Sequence, residues 1–98
     1  MVLEGRGIVR LSIKVLGPGC KNCERLEEHA LRAAADFERS HPGTEITVEK
    51  VTDVVRFVDY GLLTTPGLVI NEKLVSSGRI PAPSQIVGWL QEASAAQR

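Results

Sequence analysis

Cys20 and Cys23 are the only cysteines in the chain, and Lys21 and Asn22 stand between them. Two thiols at that spacing can close a disulfide with one another, exchange it with another molecule's disulfide, or hold a soft metal ion as thiolates. A bridge across so short a loop removes little entropy from the unfolded chain and adds little stability. Secreted disulfide frameworks use more cysteines, spaced to close long loops. The pair therefore points to chemistry rather than to stapling. Zinc in a structural site takes four protein ligands. The chain could add only His29 and His41 to its cysteines. His29 falls among charged helical positions and reads as a solvated side chain. His41 lies roughly five helical turns from Cys20, too far to share an ion. No zinc site within one chain is expected, and no cofactor beyond the disulfide itself. A copper or other soft ion held by the two thiolates stays open as an alternative.

The elements that must position these sulfurs follow from hydropathy spacing. Between Ile8 and Leu16, residues Val9, Leu11, Ile13 and Val15 alternate with Arg10, Ser12 and Lys14, the period of a strand. Gly17-Pro18-Gly19 breaks that strand. The spacing then becomes helical, with Cys23, Leu26, Ala30, Ala33, Ala34 and Phe37 on one stripe and Glu24, Arg25, Glu28, Arg32 and Asp36 opposite. Ser40-His41-Pro42-Gly43 ends the helix. Glu45 to Val51 alternates again, a second strand. Thr52 can cap a short helix from Asp53 to Tyr60, which Gly61 stops. Leu68-Val69-Ile70 reads as a strand, Asn71-Glu72 as a turn and Lys73 to Ser76 as the returning partner. Ile80-Pro81-Ala82-Pro83 leads into a last helix whose stripe is Ile86, Leu90 and Ala93. Trp89, Tyr60, Phe37 and Phe57 are assigned to the core. The order β-α-β-α-β-β-α implies an α/β fold: a right-handed parallel crossover, a final hairpin, and a four-stranded mixed sheet with helices on both faces. The polar trio Arg10, Ser12 and Lys14 implies that the middle helix covers its side of the sheet incompletely.

Placed at a strand-to-helix handover, Cys20 occupies the helix start and Cys23 the first turn. Free N–H groups and the helix dipole favour the Cys20 thiolate there, and Lys21 adds a positive charge beside it. Cys23, on the buried stripe, can reach Cys20 while shielded from partners. Thr64-Thr65-Pro66-Gly67 precedes the third strand. An X-Pro bond is the one common site of a cis peptide. A cis Thr65-Pro66 bond would turn the Thr65 backbone outward, free to pair with an extended peptide, with Pro66 against the sulfurs.

A chain of 98 residues with 43% apolar content suits a single domain, residues 1–98, that needs no staple. Residues 1–7 read as a loosely ordered lead-in and 94–98 as a frayed tail. Lys plus Arg and Asp plus Glu both number 12, which gives no basic excess for nucleic acid or an anionic membrane. No apolar run approaches the roughly 20 residues that span a bilayer, and the first residues lack a signal's apolar stretch. A cytoplasmic monomer is expected.

The cysteine motif after the first strand, Thr-Pro before the third, and the element order resemble the thioredoxin-like fold. The closer likeness is to small "redox-active disulfide" proteins of archaea and bacteria. Ile13 to Cys20, Val51-Thr52-Asp53, Tyr60-Gly61, Thr64-Thr65-Pro66 and Ser77-Gly78-Arg79 carry it, over about Ile8 to Leu90. The resemblance implies a thiol–disulfide oxidoreductase that reduces protein disulfides and is recharged by a thiol or flavin reductase. It implies Cys20 as nucleophile, Cys23 as resolving thiol and Pro66 as cis-proline, with Thr65 and Pro66 at the substrate. Ordinary thioredoxins carry a Trp before the first cysteine, Gly-Pro between the two, and a buried Asp six residues upstream. Here those places hold Gly19, Lys21-Asn22 and Lys14. The usual proton acceptor is thus missing, and Lys14 becomes a candidate for lowering the Cys23 pKa electrostatically. A glutaredoxin-like, glutathione-dependent reductase is the second expectation, with Lys21 and Gly78 near the glutathione carboxylates.

Overall fold

The computed structural model describes residues 8–96. The expected lead-in, residues 1–7, and the last two positions of the expected tail lie outside the described residues. Seven elements follow in the expected order: β1 (Val9–Leu16), α1 (Lys21–Ser40), β2 (Thr44–Val51), α2 (Val54–Asp59), β3 (Gly67–Ile70), β4 (Lys73–Ser77) and α3 (Pro83–Ala95). They build one four-stranded sheet in the order β2-β1-β3-β4. β1 runs parallel to β2 from Val9↔Thr44 to Leu16↔Val51 and antiparallel to β3 from Ile13↔Ile70 to Leu16↔Gly67. β3 pairs antiparallel with β4, with a bulge between Leu68 and Val69. The sheet is therefore mixed, as the crossover and the hairpin require.

The two faces of the sheet are covered unequally. Leu11, Ile13 and Val15 of β1 meet Leu26, Ala30, Ala33 and Phe37 of α1 and Ile86 and Leu90 of α3 in the larger core. Small alanines on the α1 stripe let the helix approach the strands closely, while Leu26 and Phe37 fill the space beside them. Among the described residues the cluster on the opposite face is Leu16, Val51, Phe57, Leu62 and Val69, with Tyr60 and Leu74 at its margin. α2 has six residues and reaches only one end of the sheet. The polar trio on β1 is solvated or paired beyond that end: Arg10 bonds Glu45, and the backbone of Ser12 exchanges hydrogen bonds with Asn71.

Several local readings change. Asp53, not Thr52, caps α2: its carboxylate accepts from Val55 N–H at 3.0 Å. A carboxylate serves the positive helix end better than a hydroxyl does. His29 is not simply solvated. It is half-buried, with Nδ1 2.9 Å from the carbonyl of Pro81, so that ring nitrogen donates and ties α1 to the segment entering α3. His41 stacks on Phe37, ring centroids 4.0 Å apart, at the exit of α1. The fraying expected after Ala93 does not begin there: Ser94 is buried and α3 continues to Ala95, because its last turn still packs on the protein. Phe37 and Phe57 are core residues as expected, but Tyr60 and Trp89 are only half-buried. Among the described residues no helix is long and apolar enough to cross a membrane.

Candidate active site

β1 delivers the chain to Gly17, whose N–H donates to the Val51 carbonyl at 3.0 Å, one step beyond the β1–β2 ladder. Gly19, at φ +99°, turns the chain into α1 in a conformation that favours glycine. Cys20 is the N-cap, and its Sγ accepts from Cys23 N–H at 3.2 Å. A sulfur in that place receives one of the N–H groups that the first helical turn leaves without a partner, and it lies at the positive end of the helix dipole. Cys23 is the first member of the apolar stripe of α1 and is buried, while Cys20 is exposed. The two form a disulfide, Cα atoms 5.0 Å apart. One sulfur thus faces solvent and the other the interior.

Gly17 makes room for the inner sulfur. A Cβ at this position would overlap Cys23 Sγ, crowd Cys23 Cβ at 3.2 Å and stand 3.9 Å from Pro66 Cβ. Hence Gly17, Cys23 and Pro66 converge. In the sequence Gly17 reads only as part of a strand breaker, and no residue pattern announces a contact made across such a distance in the chain. The Thr65-Pro66 bond is cis. Pro66 is buried, its carbonyl taken by Gly78 N–H at 2.8 Å, whereas Thr65 is exposed. Among the described residues neither the N–H nor the C=O of Thr65 has a hydrogen-bond partner. Lys21 is exposed on the first turn of α1.

Among the described residues Lys14 makes no hydrogen bond or ion pair with the sulfurs. By strand alternation its side chain lies on the α2 face, opposite Ile13 and Val15. Its ammonium donates to Tyr60 Oη at 2.9 Å and to Glu72, and Tyr60 Oη donates to Glu72 Oε1 at 2.7 Å. Lys14 and the Tyr60 hydroxyl hold the Glu72 carboxyl below the usual carboxylate range. Glu72 and Tyr60 in turn raise the Lys14 ammonium above its ordinary 10.5. Among the described residues no group of three or more His, Cys, Asp or Glu converges on a metal-sized site.

An exposed and a buried cysteine at a helix N-terminus, with a cis-proline across from them, define a dithiol–disulfide exchange domain. The thioredoxin domain family matches residues 11–91. The chain is 29% identical to a thioredoxin of Methanothermobacter thermautotrophicus over 76 residues, 78% of this chain and 92% of that protein. It is 28% identical to a thioredoxin of Methanocaldococcus jannaschii over 78 residues, 80% of this chain and 84% of the relative. The chain belongs to the thioredoxin domain family, and it is a thiol–disulfide oxidoreductase.

Two outcomes follow. Gly17→Ala crowds the Cys23 sulfur where the disulfide fixes it, but a free thiol can rotate away. The substitution should therefore raise the reduction potential, which equilibration with glutathione buffers and counting of alkylated thiols will show. The Lys14–Glu72 pair contributes to stability at neutral pH. That contribution is lost in acid as Glu72 protonates below its lowered pKa, and in strong base as Lys14 deprotonates above its raised one. Glu72→Gln should flatten the acid limb of the urea midpoint against pH, by ~1 kcal/mol at most, because Glu72 is 62% exposed and solvent screens the pair.

Proposed function

We propose that this oxidoreductase reduces disulfides of protein substrates, with Cys20 as the attacking thiolate and Cys23 as the resolving thiol. The observation that carries the reading is the asymmetry of the pair. Cys20 is exposed and receives an N–H bond, whereas Cys23 is 5% exposed and lies behind it. In the reduced protein the Cys20 thiolate attacks one sulfur of the substrate disulfide. A mixed disulfide forms and the other substrate sulfur leaves as a thiolate, which takes a proton from solvent. Cys23 gives up its proton and attacks Cys20 Sγ. The second substrate thiolate departs, and the Cys20–Cys23 bond retains the two-electron oxidation. A thiol or flavin reductase returns those electrons. No cofactor beyond the disulfide takes part.

Thr65 and Pro66 form the substrate cradle in this reading. The unpaired N–H and C=O of Thr65 suit an extended segment beside the disulfide, bonding it as an added strand would. Lys21 adds positive charge at the mouth of the site. An apolar rim supports a protein-sized partner. Val54, Val55 and Val58 of α2 and Leu63 of the following loop are 65%, 70%, 72% and 95% exposed, an unusual run for so small a surface. α2 starts just after Val51, the residue that anchors Gly17, and Leu63 lies just before Thr65. The balanced charge of the chain favours neither nucleic acid nor a membrane surface as partner. We place the protein in the cytoplasm as a monomeric single domain.

Intact-mass analysis after alkylation across a graded redox series should show a two-thiol transition at roughly −200 to −270 mV, and Cys20 should alkylate well below the pH of about 8.5 at which a free cysteine titrates. Cys23→Ser should trap a mixed disulfide with a substrate such as insulin. A Cys20→Ser chain that still reduced insulin would overturn the assignment. In a separate comparison, Leu63→Glu should slow reduction of insulin more than reduction of a small aromatic disulfide; equal losses would remove the rim from the reading.

A further inference from the structure

The stretch between α2 and β3 carries Thr65 and Pro66, and little holds its middle. Leu63, Thr64 and Thr65 are exposed, and among the described residues none of them makes a hydrogen bond. Its position is therefore set at its ends. At the far end the Pro66 carbonyl accepts from Gly78, and Gly67 enters the sheet between Leu16 and Ser77. At the near end Leu62 N–H donates to Phe57, and Tyr60 is fastened to two other elements at once. Its hydroxyl accepts from Lys14 of β1 at 2.9 Å and donates to Glu72, in the turn between β3 and β4, at 2.7 Å. Lys14 and Glu72 close the figure by bonding one another, and the Lys14 ammonium stands 5.5 Å from the centre of the Tyr60 ring.

We propose that the Lys14–Tyr60–Glu72 triangle positions the Thr65–Pro66 loop over the cysteines and thereby sets substrate affinity, so that residue 14 serves as an anchor and not as a tuner of the sulfurs. This rests on the reading that Thr65 and Pro66 receive the substrate. The geometry of Lys14 separates the two roles. Its side chain leaves β1 on the α2 face, whereas Cys23 belongs to α1 on the other side of the sheet. Its charge is matched by a carboxylate in direct contact, which leaves little field to act further off. The triangle is also partly shielded: the Lys14 side chain is 14% exposed, and Tyr60 packs against the smaller core.

Glu72 supplies an independent sign that the triangle matters. It occupies φ +68° after Asn71 at φ +51°, the pair of left-handed positions of a tight two-residue hairpin turn. Glycine suits the second of those positions better than any residue with a side chain. Glycine would ease the backbone but remove the carboxylate that meets Lys14 and Tyr60. The contact and the local backbone preference pull in opposite directions, and the residue present serves the contact.

The test uses the full chain with Tyr60→Phe, which keeps the ring, and Glu72→Gly, which eases the turn while deleting the carboxylate. The measurements are KM and kcat for insulin reduction with dithiothreitol as electron source, and the pH dependence of Cys20 alkylation. Each variant should raise KM about three- to tenfold, the weight of one net hydrogen bond, with kcat and the alkylation profile little changed. Unchanged KM in both variants overturns the proposal. So does an alkylation profile that moves to lower pH in Glu72→Gly, because an uncovered Lys14 would then be acting on the sulfurs. Failure of the underlying reading has a different signature, namely an unchanged KM for insulin in Thr65→Pro, which removes the N–H offered to the substrate.

Discussion

The rotation of α1 about its own axis is the constraint on which the site depends. Leu26, Ala30, Ala33 and Phe37 must face the sheet for the larger core to close, and this leaves the helix one orientation. Cys23 belongs to the same stripe, so its sulfur is carried inward with them. Cys20, at the cap, is carried to the surface by the same rotation. A helix turned by one residue, roughly 100°, would bring Glu24 inward and turn the resolving thiol away. Burial of four apolar side chains therefore decides which thiol a substrate can reach, long before any sulfur chemistry begins.

Space for the inner sulfur comes from a different source. Helix packing delivers Cys23 to the end of β1, but the strand must leave a gap for it. Gly17 supplies that gap by lacking a side chain, while its backbone N–H keeps the ladder to Val51 intact. Pro66 closes the other side. The three residues lie at the ends of separate elements, so the cavity for the sulfur exists only once β1, α1 and β3 have packed together. That explains how so small a domain keeps one thiol from solvent without a large core on both faces.

The fold was largely legible in the sequence because each element carries its own period. The alternation from Val9 to Val15, the three-and-four spacing from Cys23 to Phe37 and the short run Leu68 to Ile70 need no knowledge of one another. The cysteine pair and the cis Thr65-Pro66 bond were legible for the same reason, as local motifs. What escaped was whatever depends on side chains meeting across the sheet. Gly17 reads as a breaker until Cys23 is seen beside it, and Tyr60 reads as core until its hydroxyl is seen between Lys14 and Glu72. Lys14 shows the limit best. Counting back from Cys20 singles it out for the thiols, whereas nothing in the spacing announces that its ammonium bonds Tyr60 and Glu72. His29 reads as solvated because its partner is a backbone carbonyl, which has no signature in residue type.

The uncovered half of the sheet bears on how the fold can be so economical. A short α2 leaves Arg10 and Ser12 without a helix above them, and a second apolar layer there would have nothing to pack against. Polar side chains on that face remove the need for one. Nearer the site the same face must still hold the loop that ends in Pro66, and a small apolar cluster of Leu16, Val51, Phe57, Leu62 and Val69 offers limited purchase. Directional bonds from Lys14 to the Tyr60 hydroxyl and from that hydroxyl to Glu72 add what non-directional packing cannot, a fixed distance between strand, helix end and turn. The polar residues of β1 that look out of place for a central strand are thus part of how a thin layer keeps a loop in register. One face of the sheet orders the cysteines by burial, and the other orders the loop opposite them by hydrogen bonding.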